Sequence, residues 1–146
     1  MDRKTILDLL RYGVKINLEC KKAESSVPNS VWETYSSFAN TDGGMILLGV
    51  EEHIKEKDPA KRFTFSSVRN PDQRIKDFWN TINSNKVSRN ILVDADVGTC
   101  KINGADIIWI DVPQADYHDK PVYINDNPMK GSFKRNHEGD YRQCSG

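Results

Sequence analysis

Along the chain the apolar residues change period several times, and each change marks an element. Ile6, Leu9 and Leu10 recur at helical spacing within Asp2 to Arg11, and Gly13 stands where a short helix would end. Ile16, Leu18 and Cys20 then alternate with Asn17, Glu19 and Lys21, the pattern of a half-buried strand. Such a strand puts Glu19 and Lys21 together on its polar face. Ser25, Ser26 and Pro28 interrupt the alternation. Ser30 followed by Glu33 is a capping-box signature, and Val31, Tyr35, Phe38 and Ala39 continue as the stripe of a second helix. Asn40-Thr41-Asp42-Gly43-Gly44 stops it with residues that tolerate positive φ and offer free backbone N–H groups. Met45 to Val50 is a continuous apolar run, suited to a central strand buried on both faces.

The second half is patterned as clearly. His53 to Arg62 is polar and reads as a loop, with a short strand following within Phe63 to Val68. Asn70-Pro71 predicts a helix start, and Ile75, Phe78, Trp79 and Ile82 form its buried stripe. Ile91, Val93, Ala95 and Val97 alternate as on a strand, and Asn103-Gly104 suits a type I′ hairpin turn leading into the apolar strand Ile107 to Val112. Val122 to Ile124 and Gly131 to Arg135 are placed to pair across Asn125 to Pro128. The fold class expected is α+β, with about three helices packed on a mixed β-sheet of about five to seven strands.

Composition narrows the possibilities. At 146 residues the chain is one domain in size, with no internal repeat and no low-complexity tract. Lys plus Arg and Asp plus Glu are both 21, so any nucleic-acid site must be a local basic face. No apolar run reaches the roughly 18 residues of a membrane span, and the N-terminus lacks the apolar core of a signal peptide. Cys20, Cys100 and Cys144 fit neither zinc spacing nor a disulfide framework, so a cytoplasmic location is expected. The sequence stops at Arg142-Gln143-Cys144-Ser145-Gly146 directly after a basic strand-like run, as expected of the N-terminal part of a longer protein.

Candidate chemistry collects between Leu18 and Glu52. Glu19-x-Lys21 is a common pairing and reads first as a solvated ion pair on a strand face, and only second as a hydrolase strand whose carboxylate holds Mg²⁺ or Mn²⁺ while the lysine assists water. Glu52 approaches Glu19 if their strands are neighbours. The glycine turn follows a helix and precedes a strand, the reverse of a phosphate-cradling loop, and no G-x-x-x-x-G-K-[ST] occurs; ATP is therefore not expected as a ligand. Basic residues gather at Lys21 and Lys22, at Arg62 with Arg69, and at Lys130, Lys134, Arg135 and Arg142, the last group interleaved with Phe133 and Tyr141. That interleaving suits stacked bases and phosphates, or an edge strand kept soluble by charge. His53, His118 and His137 lie singly in polar stretches.

Three segments together resemble the Schlafen AlbA-like (AlbA_2) domain, formerly labelled divergent AAA. They are GVKINLECK at Gly13 to Lys21, SFANTDGGMILLGVEE at Ser37 to Glu52, and GSFKRNHEGDYR at Gly131 to Arg142. The resemblance implies an AlbA/Schlafen-core-like fold. It implies a nucleic-acid-binding domain, DNA or RNA, found N-terminally in bacterial proteins described as transcriptional regulators. Lys21, Lys22, Lys134, Arg135 and Arg142 would then neutralise phosphates, with the Asn40, Gly43 and Gly44 backbone positioning one. Animal members of the family resemble endoribonucleases with three acidic residues. Those positions fall here at Val14, Glu19 and Glu52, so one ligand is missing unless Glu24 or Glu51 replaces it. A binding domain requiring no cofactor, a metal-dependent nuclease using Glu19, Lys21 and Glu52, and a homodimerising module are the three expectations to compare.

Overall fold

An all-apolar strand needs cover on both faces and partners on both edges, and Gly44–Leu48 (β2) has them. In the computed structural model, which describes residues 2–12, 18–53, 55–58, 61–125, 127, 131–136 and 139–142 but not the side chains of 12, 134–136 and 139–142, β2 is the second strand of a four-stranded sheet. Leu18–Lys21 (β1) pairs with it in parallel, Leu18 opposite Met45. Ala105–Val112 (β6) pairs with it antiparallel, Ile46 opposite Ile110, and Val97–Ile102 (β5) completes the sheet beyond β6. Ile46 and Leu48 point into one apolar cluster with Tyr35 and Phe38, while Met45 and Leu47 point into a second with Ile6 and Ile107. Burying such side chains contributes about 1.5–3 kcal/mol each.

The apolar run Met45 to Val50 is not one strand. Gly49 stands at φ 91°, and the chain turns there so that Val50–Glu52 (β3) leaves the main sheet to pair with Phe63–Phe65 (β4). A Cβ at Gly49 would lie 3.0 Å from the Asp106 carbonyl oxygen and from a Val68 methyl group, so the bend depends on glycine. Its N–H donates to Lys21 O and its carbonyl accepts from Ser66 N–H, which holds β3 beside β1.

Arg3–Tyr12 (α1) is capped by Asp2, whose carboxylate accepts from the Thr5 N–H at 2.9 Å and hydroxyl at 2.7 Å. Ser30–Asn40 (α2) starts without the expected capping box. Asn29 is already helical (φ −58°, ψ −31°), so Ser30 lies inside the first turn, and the Val31 and Trp32 N–H groups go to the Pro28 and Asn29 carbonyls. Pro71–Ile82 (α3) begins at its proline as the sequence indicates, and Phe78 stacks on Trp32 with ring centroids 5.0 Å apart.

Ile91 to Val97 is not a strand. The Asp96 carboxylate accepts from the Val93 N–H at 2.9 Å and closes Asp94–Asp96 into a 3₁₀ turn, and β5 begins only at Val97. Asn103 and Gly104, at φ 52° and 81°, make the tight turn from β5 to β6. Tyr123 bridges Ser132, but Phe133–Asn136 (β7) then pairs with Gly139–Arg142 (β8) rather than continuing along 122–124. The fold is α+β with three helices on a mixed sheet, its strands distributed over that sheet and two ribbons, β3–β4 and β7–β8.

Candidate nucleic-acid interface

At the exit of β1 the sequence-predicted carboxylates come near one another, each already neutralised. Lys21 Nζ lies 3.6 Å from Glu19 Oε1, with the lysine side chain only 13% exposed. Arg62, delivered by the β3–β4 ribbon, donates from Nε and Nη2 to the same Glu52 oxygen at 3.1 and 2.9 Å. Lys22 pairs at 3.2 Å with Glu24, both about half exposed. Glu51 alternates to the other side of β3 from Glu52.

Cys20 sits between these pairs. Burial first, then the Glu52 and Glu19 carboxylates, push its thiol far above the usual range, while Arg62 pulls the other way. It is therefore held as a neutral thiol and not as a nucleophile. Among the described residues no group of three or more His, Cys, Asp or Glu side chains could hold a metal ion. Val14, the remaining position of the implied acidic set, lies outside the described residues.

The perturbed groups predict an alkaline limit to stability. Above pH 9 the unfolded chain ionises Cys20 while the folded protein keeps it protonated, so stability falls as pH rises. Tyr35, donating to Arg89 O at 2.8 Å, is pushed by burial from 10 up to about 12 and adds the same loss from pH 10 upward. Cys20→Ala is expected to move the onset of this loss from about pH 9 to about pH 10. Urea midpoints measured from pH 8 to 11 check it; an onset unmoved by the substitution would contradict the assignment.

The glycine turn stands at the other end of β2. Glu19 stands opposite Ile46, two residue steps or about 7 Å along the sheet from Gly44, whereas Lys21 stands opposite Leu48, four steps or about 13 Å away, so the turn lies nearer Glu19 than Lys21. Two of its N–H groups are not free as expected, because Thr41 and Gly43 both donate to the Phe38 carbonyl, at 3.2 and 2.8 Å. Gly43, at φ 75°, is required by closeness: a Cβ there would lie 2.6 Å from Val112 O. The Asn40 side chain is turned inward. Its amide donates to the carbonyls of Val122 and Phe133, both at 2.9 Å, and its oxygen accepts from the Val122 N–H at 2.7 Å.

Those bonds seat the basic ribbon. Ser36 Oγ accepts from the Phe133 N–H at 3.0 Å and donates to Val122 O at 2.6 Å, so β7 starts against the C-terminal half of α2. Lys134 and Arg135 follow on β7, and Arg142 stands opposite Phe133 on β8. Their side chains, and Lys130 and His137 entirely, lie outside the described residues. Arg62 is held by Glu52. Sequence reasoning missed that role because the partners are ten residues apart across a loop and meet only through the β3–β4 register.

Comparison with known proteins bears on the family and the fold. A family model described as "Schlafen, AlbA_2" matches residues 15–144. No curated protein sequence matches the chain. Among solved structures, the chain is similar to the N-terminal domain of a protein from Nitrosomonas europaea described as ATP-dependent DNA helicase RecG-related. The TM-score is 0.67 at 24% identity, covering 98% of this chain and 88% of that one. It is similar also to the DIP2311 protein from Corynebacterium diphtheriae, with TM-score 0.56 and 15% identity over 88% of this chain and 22% of that one. No helix among the described residues is long and apolar enough to cross a membrane.

Proposed function

Because the chain belongs to the Schlafen AlbA_2 family, we propose that it is a nucleic-acid-binding domain, acting on DNA as the N-terminal part of a transcriptional regulator. The observation that supports this most is the pairing of the two site carboxylates with Lys21 and Arg62, while Lys134, Arg135 and Arg142 lie on the two paired strands of the β7–β8 ribbon beside α2. A site built for hydrolysis needs carboxylates left for metal; a site built for binding needs cations left for phosphate. The three ribbon residues are the phosphate contacts in this proposal, joined by Lys22 where a phosphate displaces its half-exposed partner Glu24. Lys21, mostly covered and paired with Glu19, supports the local field rather than touching the ligand. The N. europaea protein of the same fold is named for a relation to a DNA helicase, in keeping with a DNA ligand.

Binding needs no metal in this scheme. Fluorescence-anisotropy titration with labelled DNA and RNA, single- and double-stranded, is expected to give dissociation constants of about 1–100 μM at physiological salt, unchanged by EDTA. Failure to bind any of the four would overturn the proposal. Cleavage of the probe in Mg²⁺ or Mn²⁺, abolished by Glu19→Ala, would replace it with the nuclease.

A further inference from the structure

The four-stranded sheet ends in β5, and among the described residues no strand pairs with its outer side. Which backbone groups face outward follows from the hairpin. In a two-residue turn the flanking residues, Ile102 and Ala105, exchange hydrogen bonds, so by alternation Cys100 and Gly98 bond to β6. The N–H and C=O groups of Val97, Thr99 and Lys101 are left pointing away from the sheet. The other strand agrees: Asp106, opposite Lys101, uses its N–H on Ser67 Oγ at 3.0 Å and its carbonyl on Val68 N–H at 2.9 Å, on the side away from β5.

Edges of this kind are normally blunted by proline, a bulge or several charges. β5 has no proline, keeps an unbroken register from 97 to 102, and carries one charge, Lys101. We propose that β5 pairs antiparallel with β5 of a second copy of this chain, about a two-fold axis at Thr99, joining the two sheets into one. Val97 then lies opposite Lys101 of the second copy and Thr99 opposite itself, with two hydrogen bonds exchanged at each of these pairs. Sliding the register toward Cys100 draws in Asn103, which the turn holds at φ 52° and which cannot continue a ladder.

Self-pairing also suits the charges and the space. Asp94 and Asp96 precede the strand and Lys101 stands near its end, so the antiparallel arrangement brings Lys101 of each copy toward Asp96 of the other. A parallel arrangement would stack like on like. Gly98 falls opposite Cys100 at the closely spaced positions, where small residues allow backbones about 4.5 Å apart. This proposal stands apart from nucleic-acid binding, because β1, which carries Glu19 and Lys21, is at the opposite edge of the sheet from β5, and the ribbon is seated on α2.

Sedimentation equilibrium over a concentration series tests it. The wild-type mass is expected to rise from 16.7 kDa toward twice that value. Thr99→Pro removes only an N–H that the subunit does not use, so the monomer keeps its fold by circular dichroism while association weakens at least about tenfold. Thr99→Cys should form a disulfide-linked dimer on mild oxidation beyond any formed by wild type, since Cα atoms of such a pair lie about 5.5 Å apart. A wild type monomeric at every concentration overturns the proposal. So does a dimer that Thr99→Pro leaves intact or, should that variant not fold, one that Thr99→Cys does not cross-link.

Discussion

Asn40→Ala is expected to lower the free energy of unfolding by about 3 kcal/mol, and the melting temperature by about 10 °C. The residue looks like an ordinary helix terminus, yet its amide reaches carbonyls 82 and 93 positions away and its oxygen accepts from the Val122 N–H. All of these groups are buried. Truncation leaves the Val122 N–H without a partner and removes one donor from each of two carbonyls, at about 1–3 kcal/mol for a buried group left unsatisfied. Ser36 still serves Val122 O and the Phe133 N–H, so the ribbon is loosened rather than released. Urea titration of both proteins checks the value; a loss under about 1 kcal/mol would mean that these bonds do not hold the ribbon.

Gly131→Ala is expected to be as damaging, through space rather than hydrogen bonding. A Cβ at Gly131 would lie 1.9 Å from Ile124 O and 2.7 Å from Asn127 O, and both are backbone atoms. The same glycine donates to Asn127 O at 2.6 Å and accepts from the Ile124 N–H at 2.9 Å, so moving it opens the turn that launches β7. A cost of about 3 kcal/mol follows, with faster amide exchange at Ile124 and Phe133 and weaker nucleic-acid binding. Gly104→Ala is the control. Gly104 has positive φ but nothing within 4 Å, and the change should cost only about 1–2 kcal/mol. Equal losses at the two sites would contradict the steric argument.

What the sequence made legible is what depends on neighbours in the chain. Asn103-Gly104 forms its turn because both residues accept positive φ, and Pro71 starts a helix because its missing N–H is not needed there. Elements that depend on distant partners were harder to read. The alternation from Ile91 to Val97 satisfies a strand pattern, but among the described residues no strand pairs with 91–96 and Asp96 offers Val93 a local bond instead. Met45 to Val50 is uniformly apolar because both sheets need apolar residues, and only the conformation of Gly49 reveals the break.

The site divides in the same way. Glu19 and Lys21 share a strand face by simple alternation, and their ion pair was readable from that spacing. The Arg62–Glu52 pair depends on the register of a ribbon closed over a polar loop, and Cys20 is perturbed by charges from two sheets. No local pattern carries either. Asn40 is the sharpest case: the residue types that stop a helix were visible, and the bonds that seat the ribbon were not.

The most direct measurement is the salt dependence of binding, compared between wild type and the Lys134→Ala/Arg135→Ala/Arg142→Ala variant. For wild type, the logarithm of the association constant is expected to fall linearly with the logarithm of salt concentration between 50 and 200 mM. Removing three phosphate contacts should reduce the slope by about 2–3 and weaken binding about 100-fold at low salt. A variant that binds with the wild-type slope, or a wild type whose binding ignores salt, would contradict the assignment of the ribbon as the nucleic-acid contact.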